Sequence, residues 1–306
     1  MLRIGITGMS SGNAHPYSWS SIINGIYDGD EITRVGYPGV TAYLNANEDT
    51  LGIPGARVTH IWTQNPEISR SIAQSSGIDT IVENASEMIG EVDALILARD
   101  DAENHVEMAR PFVEAGVPIF VDKPLAITAT DLHWFTEQVD AGKFIMSCSS
   151  MRYANECRIV KQELASLGKI ELVTAVGKKD WLKYGVHMIE AMYATLDDPR
   201  IFSVQHIGES GKDVVHLVFE NGLTATIHLF MEICGTFQVH FYGQMGWRSA
   251  DIKNSYSMFR ENMIEFIRSV MEGKSRLDFA KTENVIKTVI AAETSRQNGG
   301  EIIYIK

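Results

Sequence analysis

The segment RIGITGMSSGNAHPYSW, residues 3–19, places small and hydroxyl-bearing residues where phosphate chemistry would need them. A short apolar strand runs into Gly8. Ser10, Ser11, Gly12 and Asn13 follow, then an amphipathic stretch carrying Trp19, Ile22, Ile23 and Ile26. In a dinucleotide-binding loop, glycines give a tight turn, close approach of backbone to pyrophosphate, and close helix–strand packing. The fingerprint G-x-G-x-x-G, read from Gly8, requires glycine where this chain has Ser10 and Asn13. Gly8 suffices for the turn, the Ser10 and Ser11 hydroxyls can donate to phosphate, and Gly12 and Asn13 tolerate left-handed backbone. The following helix would aim its N-terminus at the anion. The loop reads as a rebuilt pyrophosphate cradle; the other reading is a plain strand-to-helix turn with no cofactor role.

Spacing alone misleads about the ribose end. The fingerprint expects an acid about 20 positions on, and Asp28 stands there. Asp28 follows a helix, however, whereas the ribose ligand must close the second strand. That strand is VTHIW, its tip is Thr63, and residues 29–57 read as an insertion. A threonine at the tip removes repulsion of a 2′-phosphate, yet no arginine follows immediately to attract one. NAD and NADP both stay open. His15, Tyr17 and Tyr43 are candidates for shaping a nearby substrate pocket.

The elements that would carry this loop follow from patterning. From 58 to 150, apolar strands alternate with helices: VTHIWT, then a helix opening at Asn65–Pro66 and closing at Gly77, then DTIVE, VDALILAR, PIFVDK and KFIMSCSS with helices between. Near-continuous apolar strands in a βαβ rhythm indicate a parallel sheet covered on both faces. Beyond a helix at about 153–167 the strands lengthen and alternate in polarity, ENG before LTATI signals a hairpin, and two long helices and a last strand close the chain. The fold class is α/β: a doubly wound Rossmann domain over 1–149, then an α+β domain over 150–306 with a large open, mostly antiparallel sheet. The formal charge of −12 over 306 residues argues against nucleic acid as a partner. The longest apolar runs are far short of a membrane span. Cys148, Cys157 and Cys234 lack metal-ligand spacing and read as free thiols, and no leader-like stretch precedes the first strand, so a cytoplasmic location is expected. The histidines show no ligand-like pairing, so no metal site is expected.

At FVDKPLAIT the chain resembles the Gfo/Idh/MocA family, the glucose–fructose oxidoreductase and inositol dehydrogenase relatives. Asp122, Lys123, Pro124, Leu125 and Ala126 match that family's E-K-P-L-A-like motif. LARDDAENHVEMA is similar to its preceding strand–loop–helix segment, with His105 at the helix start. KYGVHMIEAMY is similar to its D-x-G-x-H-x-x-D motif: Gly185 and His187 match, Glu190 replaces the last aspartate and Lys183 the first.

The resemblance implies an NAD(P)-dependent oxidoreductase acting on a sugar, polyol or related hydroxy compound. Lys123 and His187 would cycle the hydroxyl proton in a cleft, since oxidation of an alcohol requires that proton to leave. Lys183 reverses the family's charge; it is a further proton carrier, a contact for a substrate carboxylate, or a surface lysine. Arg99, Asp100 and His105 would border the cofactor together with Lys123, and Arg152, Tyr153, Tyr184 and Glu190 would contact substrate. Pairing into a homodimer or homotetramer through the second sheet is expected. Two other readings stay open: an NAD-dependent elimination that cleaves glycosidic bonds, and a non-catalytic sensor or regulatory protein on the same fold.

Overall fold

The computed structural model describes residues 1–305. In chain order its elements are β1 (Leu2–Gly8), α1 (His15–Asn24), α2 (Gly29–Arg34), α3 (Pro38–Asn45), β2 (Ala56–Thr63), α4 (Pro66–Ser76), β3 (Thr80–Ile81), β4 (Ala94–Leu97), α5 (His105–Glu114), β5 (Ile119–Val121), α6 (Ala129–Asp140) and β6 (Ile145–Met146). They continue with α7 (Asn155–Glu163), β7 (Ile170–Lys178), α8 (Trp181–Thr195), β8 (Ile201–His206), β9 (Lys212–Phe219), β10 (Thr224–Phe230), β11 (Phe237–Gly243), β12 (Gly246–Asp251), α9 (Ser255–Glu272), α10 (Phe279–Gln297) and β13 (Ile303–Tyr304). Two compact units divide them. The first comprises residues 1–125, 133–147 and 259–279; the second comprises 126–132, 148–258 and the described residues from 280 onward.

The first unit is built on a parallel sheet in the order β3-β2-β1-β4-β5-β6. Ile4 and Ile6, Leu95–Leu97 and Ile119–Val121 are fully buried, as strands covered on both faces must be. Strand order reverses between β1 and β4, the place where doubly wound sheets open a crevice at their carboxyl edge. The expected caps are present on α4: the Asn65 side chain accepts from Glu67 N at 2.9 Å, Pro66 occupies the first turn, and Gly77 closes the helix at φ 63°. Residues 29–57 contain α2 and α3. Asp28 caps α2, accepting from Glu31 N at 3.0 Å.

The second unit carries a sheet in the order β12-β11-β7-β10-β9-β8-β13, in which only β7 and β10 pair in parallel. This is the mostly antiparallel sheet that the alternating polarity implied. Val215, Leu217 and Phe219 of β9 and Ala225, Ile227 and Leu229 of β10 are buried, while Val214, His216, Thr226 and His228 on the other face are half-buried. Asn221–Gly222 forms the expected turn between β9 and β10, with Gly222 at φ 82°. The helix read at 153–167 is shorter: α7 ends at Glu163 and a 3₁₀ turn covers Leu164–Leu167. Helix α8 packs against the buried face with Val186, Ile189 and Met192 at 1% exposure or less. Among the described residues no disulfide forms; Cys148 and Cys157 are buried and Cys234 is exposed. No helix among the described residues is long and apolar enough to cross a membrane.

Gly185 has a packing reason. A Cβ there would lie 2.9 Å from the Trp181 ring, which is held in place by its Nε1 donating to Val289 O at 3.0 Å. Gly185→Ala should therefore lower stability by up to about 2 kcal/mol, because overpacking of roughly 1–3 kcal/mol is offset only by the alanine helix gain of about 1 kcal/mol. A urea denaturation midpoint checks this; a more stable variant would mean that the indole yields.

Candidate active site

In the first unit the carboxyl ends of β1, β2, β4 and β5 are tied together by side chains. Gly8 closes β1, and a Cβ there would meet Pro16 Cγ at 2.7 Å, so its service is close packing of α1 on the strand. The Ser10 hydroxyl donates to Asp100 Oδ1 at 2.5 Å and accepts from Asp100 N at 3.0 Å, fastening the β1 loop to the β4 loop. Asn13 Nδ2 donates to Asp122 Oδ2 at 3.0 Å and its Oδ1 accepts from His15 N at 2.9 Å. Gln64, the first residue past β2, spans the Met9 peptide: Nε2 donates to Met9 O at 2.6 Å and Oε1 accepts from Met9 N at 2.9 Å and Arg99 Nη1 at 3.1 Å. Thr63 aligns with Gly8 at the end of β2, but its hydroxyl donates to Asn65 O at 2.6 Å and lies 2.9 Å from Ser69 Oγ.

Asp122 anchors this edge. Its buried carboxylate accepts from Asn13, from His15 Nδ1 at 2.5 Å, and from Lys123 N at 2.8 Å. Burial pushes the carboxyl up, but His15, Lys123 and Asn13 outweigh it and hold Asp122 below the usual carboxylate range. The His15 ring stacks on Trp19 at 4.2 Å, so it faces the interior of this unit. Tyr17 OH donates to Ser71 Oγ at 2.8 Å, and Tyr43 OH to Ser18 Oγ at 2.5 Å.

Lys123 itself is 4% exposed, with Nζ 3.7 Å from Asp100 Oδ2. Arg99 pairs with Asp101 through Nε at 2.8 Å and Nη2 at 2.5 Å. His105 is fully buried between Leu125 O at 3.1 Å and Arg99 O at 3.0 Å, bridging the loops after β4 and β5. Burial holds His105 below the ordinary histidine range against the pull of those carbonyls, so the ring stays neutral and donates to one of them.

The loop fits a pyrophosphate. The amides of Ser11 and Gly12 have no acceptor among the described residues, and Gly12, at φ 76°, has open space where a Cβ would point. A cavity of about 530 Å³ lies over this loop and the start of α4.

In the second unit α8 presents His187. Its Nδ1 lies 2.6 Å from Ser149 Oγ, which also accepts from Met151 N at 3.1 Å. The Ser149 hydroxyl thus ties the imidazole to the turn that follows β6, with either atom of the Ser149–His187 pair able to donate. Ser149 N in turn donates to Glu190 Oε1 at 3.3 Å. Glu190 is 1% exposed and its Oε2 accepts from Arg152 Nε. Burial raises Glu190 above the carboxylate range and Arg152 opposes it. Arg152 reaches Asp198 through Nη2 at 2.7 Å and Nη1 at 3.2 Å. Arg152 and Glu190 thus hold each other within this unit.

Tyr184 sits 5.0 Å from the His187 ring and stacks on Phe237, and Lys179 Nζ donates to its hydroxyl at 2.7 Å. Lys183 is exposed, its amide donating to the α8 cap Asp180 at 3.0 Å. Tyr153 lies under the Arg158 guanidinium at 5.7 Å. Sequence reasoning missed Gln64, Ser149 and Lys179. Gln64 directly follows the strand segment VTHIWT and Ser149 lies near the end of KFIMSCSS, and those positions at the ends of strand segments were the available signal.

Residues 33–145 match the model of an oxidoreductase family with an NAD-binding Rossmann fold, Gfo/Idh/MocA. Over this region, somewhat more than a third of the chain, the sequence is similar to the Gfo/Idh/MocA family. Over 108 residues, 34% of the chain, it is 35% identical to inositol 2-dehydrogenase 1 of Saccharopolyspora erythraea, and that match spans 32% of the relative, about a third of its length. Along the whole chain the fold agrees with that of solved dehydrogenases. A myo-inositol 2-dehydrogenase from Lactobacillus plantarum superposes with TM-score 0.79 at 15% identity, covering 100% of this chain and 99% of that one. A myo-inositol dehydrogenase from Lactobacillus casei, solved with NAD(H) and myo-inositol, gives TM-score 0.75 at 15% identity, covering 100% and 97%.

Because Asp122 ionises more readily folded than unfolded, its stabilisation is present above the ordinary carboxylate pKa of about 4 and is lost as pH falls through its lower folded value. Asp122→Asn should cost about 2–4 kcal/mol at pH 7, since one partner of a buried charged cluster is removed. The acid limb of stability should also become shallower. Denaturant unfolding between pH 3 and 7 measures both, and an unchanged acid limb would show that Asp122 does not set it.

Proposed function

We propose that the protein is a nicotinamide-dinucleotide-dependent oxidoreductase acting on a CH–OH group of a sugar, polyol or related hydroxy compound. The observation that carries this reading is the buried Lys123 at the carboxyl edge of the parallel sheet. A lysine side chain is among the least readily buried groups, and here it is kept buried beside Asp100 and Asp122. Its place beside Asp100 and the Met9–Gly12 loop suits a group that takes up and returns a proton. The Ser11 and Gly12 amides and the N-terminus of α1 would hold the pyrophosphate, and the nicotinamide ring would supply the hydride acceptor.

Lys123, as the neutral amine, would take the hydroxyl proton and become the ammonium while the carbon gives up its hydride to the nicotinamide. His187 hydrogen-bonds a substrate oxygen and fixes its orientation, while Ser149 holds the imidazole ring in place. Tyr184, with Lys179 on its hydroxyl, borders the substrate, and Lys183 near the start of α8 adds positive charge. Arg152 and Glu190 position Ser149. The exposed face of the second sheet pairs subunits, and the protein works in the cytoplasm. The 35% identity to an inositol dehydrogenase supports a polyol as the first substrate class to assay.

Lys123→Met keeps the side chain's bulk and removes its proton-carrying nitrogen. It should lower kcat by about 10²–10⁴-fold, the usual worth of a general acid–base group, with dinucleotide affinity nearly unchanged. Steady-state reduction of NAD⁺ and NADP⁺ with a polyol and sugar panel, paired with calorimetric binding, reads both. Wild-type turnover in this variant would remove Lys123 from the chemistry.

A further inference from the structure

The cavity over the ends of β1 and β2 is walled on one side by the insertion. Ser10, Gly12, Asn65 and Ser71 line it together with Arg34 and Tyr37. In a doubly wound fold the adenosine ribose lies at the end of the second strand, where an acid receives the 2′-hydroxyl in NAD-selective sites and an arginine accommodates a 2′-phosphate. No acid closes β2 here, and the Thr63 hydroxyl, buried at 3% residue exposure, is used within its own turn. An arginine is present, but it arrives from α2, ahead of β2 in the chain.

The Arg34 guanidinium is held by one edge. Nε donates to Glu31 Oε2 at 2.6 Å and Nη2 to Glu31 Oε1 at 2.7 Å. Glu31 is fixed in turn by Ser71 Oγ at 2.5 Å, which accepts from Tyr17 OH at 2.8 Å. This chain runs from α1 through α4 to α2, so the guanidinium plane is set by packed helices rather than left to a mobile side chain. Nη1 has no partner among the described residues, and the side chain is 69% exposed. A planar cation with its remaining donors open is suited to phosphate, which accepts several hydrogen bonds where a hydroxyl accepts one or two. Glu31 neutralises part of the charge, but it occupies the opposite edge. Glu67, the other carboxylate at the cavity, has a side chain 83% exposed and is screened by water.

We propose that Arg34 reads the 2′-phosphate of the adenosine ribose and gives this protein a preference for NADP(H) over NAD(H). The assignment rests on the dinucleotide reading above and adds which of the two cofactors the cavity selects.

The test is calorimetric titration of the full chain and of Arg34→Ala and Arg34→Lys with NADP⁺, NAD⁺, 2′,5′-ADP and 5′-AMP. Arg34 is exposed, and circular dichroism verifies that the variants fold. NADP⁺ should bind about tenfold or more tighter than NAD⁺, and 2′,5′-ADP tighter than 5′-AMP, as expected for a charged hydrogen bond. Arg34→Ala should erase both preferences while leaving NAD⁺ affinity within about twofold, and Arg34→Lys should fall between, keeping the charge without the fork. NAD⁺ binding as tightly as NADP⁺, or a preference that survives Arg34→Ala, overturns the assignment and leaves the oxidoreductase reading intact. Failure of both dinucleotides to bind overturns the two together.

Discussion

The carboxyl edge of the parallel sheet depends on one buried anion. Asp122 accepts from the side chain that ends the β1 loop, from the histidine that starts α1, and from the amide of the lysine that follows β5. A glycine-rich loop reaches its shape by having no side chains to place. This one reaches a comparable shape by pinning: Asn13 to Asp122, Ser10 to Asp100, and Gln64 across the Met9 peptide. The loop can therefore lose two fingerprint glycines and still present the Ser11 and Gly12 amides outward. The cost moves from backbone entropy to a buried charge that must stay fully partnered, since an unmatched carboxylate in such a place is worth several kcal/mol against folding.

Much of the scaffold was legible because it rests on local physics. Doubly buried strands show as continuous apolar runs, and α4 announces itself through Asn65, Pro66 and Gly77. The second sheet betrays its half-exposed face by alternation. Boundaries that depend on hydrogen-bond type were not legible: Leu164–Leu167 carries a helical pattern but turns as 3₁₀. The site was legible in its motifs and opaque in its wiring. Lys123 and His187 stand in recognisable segments, whereas the bond from Ser149 to His187 joins residues 38 apart in sequence and leaves no periodic trace. Arg34 was hidden for the same reason. The sequence shows no arginine just after Thr63, where one would be sought, because spacing along the chain stands in for position in space, and an insertion breaks that equivalence.

In the second unit, backbone strain falls where charge is delivered. Lys179 stands at φ 83° and Asp198 at φ 55°, values that cost a non-glycine residue of order 1 kcal/mol or more each. Lys179 turns its ammonium onto the Tyr184 hydroxyl, and Asp198 receives both Arg152 and Lys281, the latter at 2.8 Å. Relaxing either residue would swing a charged group away from its partner. A fold selected for stability alone has little reason to keep both.

The Arg152–Glu190 pair extends that argument. Both residues are nearly inaccessible, and buried ion pairs of this kind contribute little net stability compared with apolar replacements. What the pair provides is direction. Glu190 is held at one oxygen by Arg152, which leaves the other to receive the Ser149 amide. The Ser149 hydroxyl, which accepts from Met151 N, also meets His187 Nδ1 at 2.6 Å. Each bond removes one rotational choice from the next group, until the imidazole is held in one orientation. A leucine at 190 would leave the Ser149 amide without that acceptor and loosen the hold on the ring. Retention of a buried ion pair at this point is what a requirement for a defined ring position would produce.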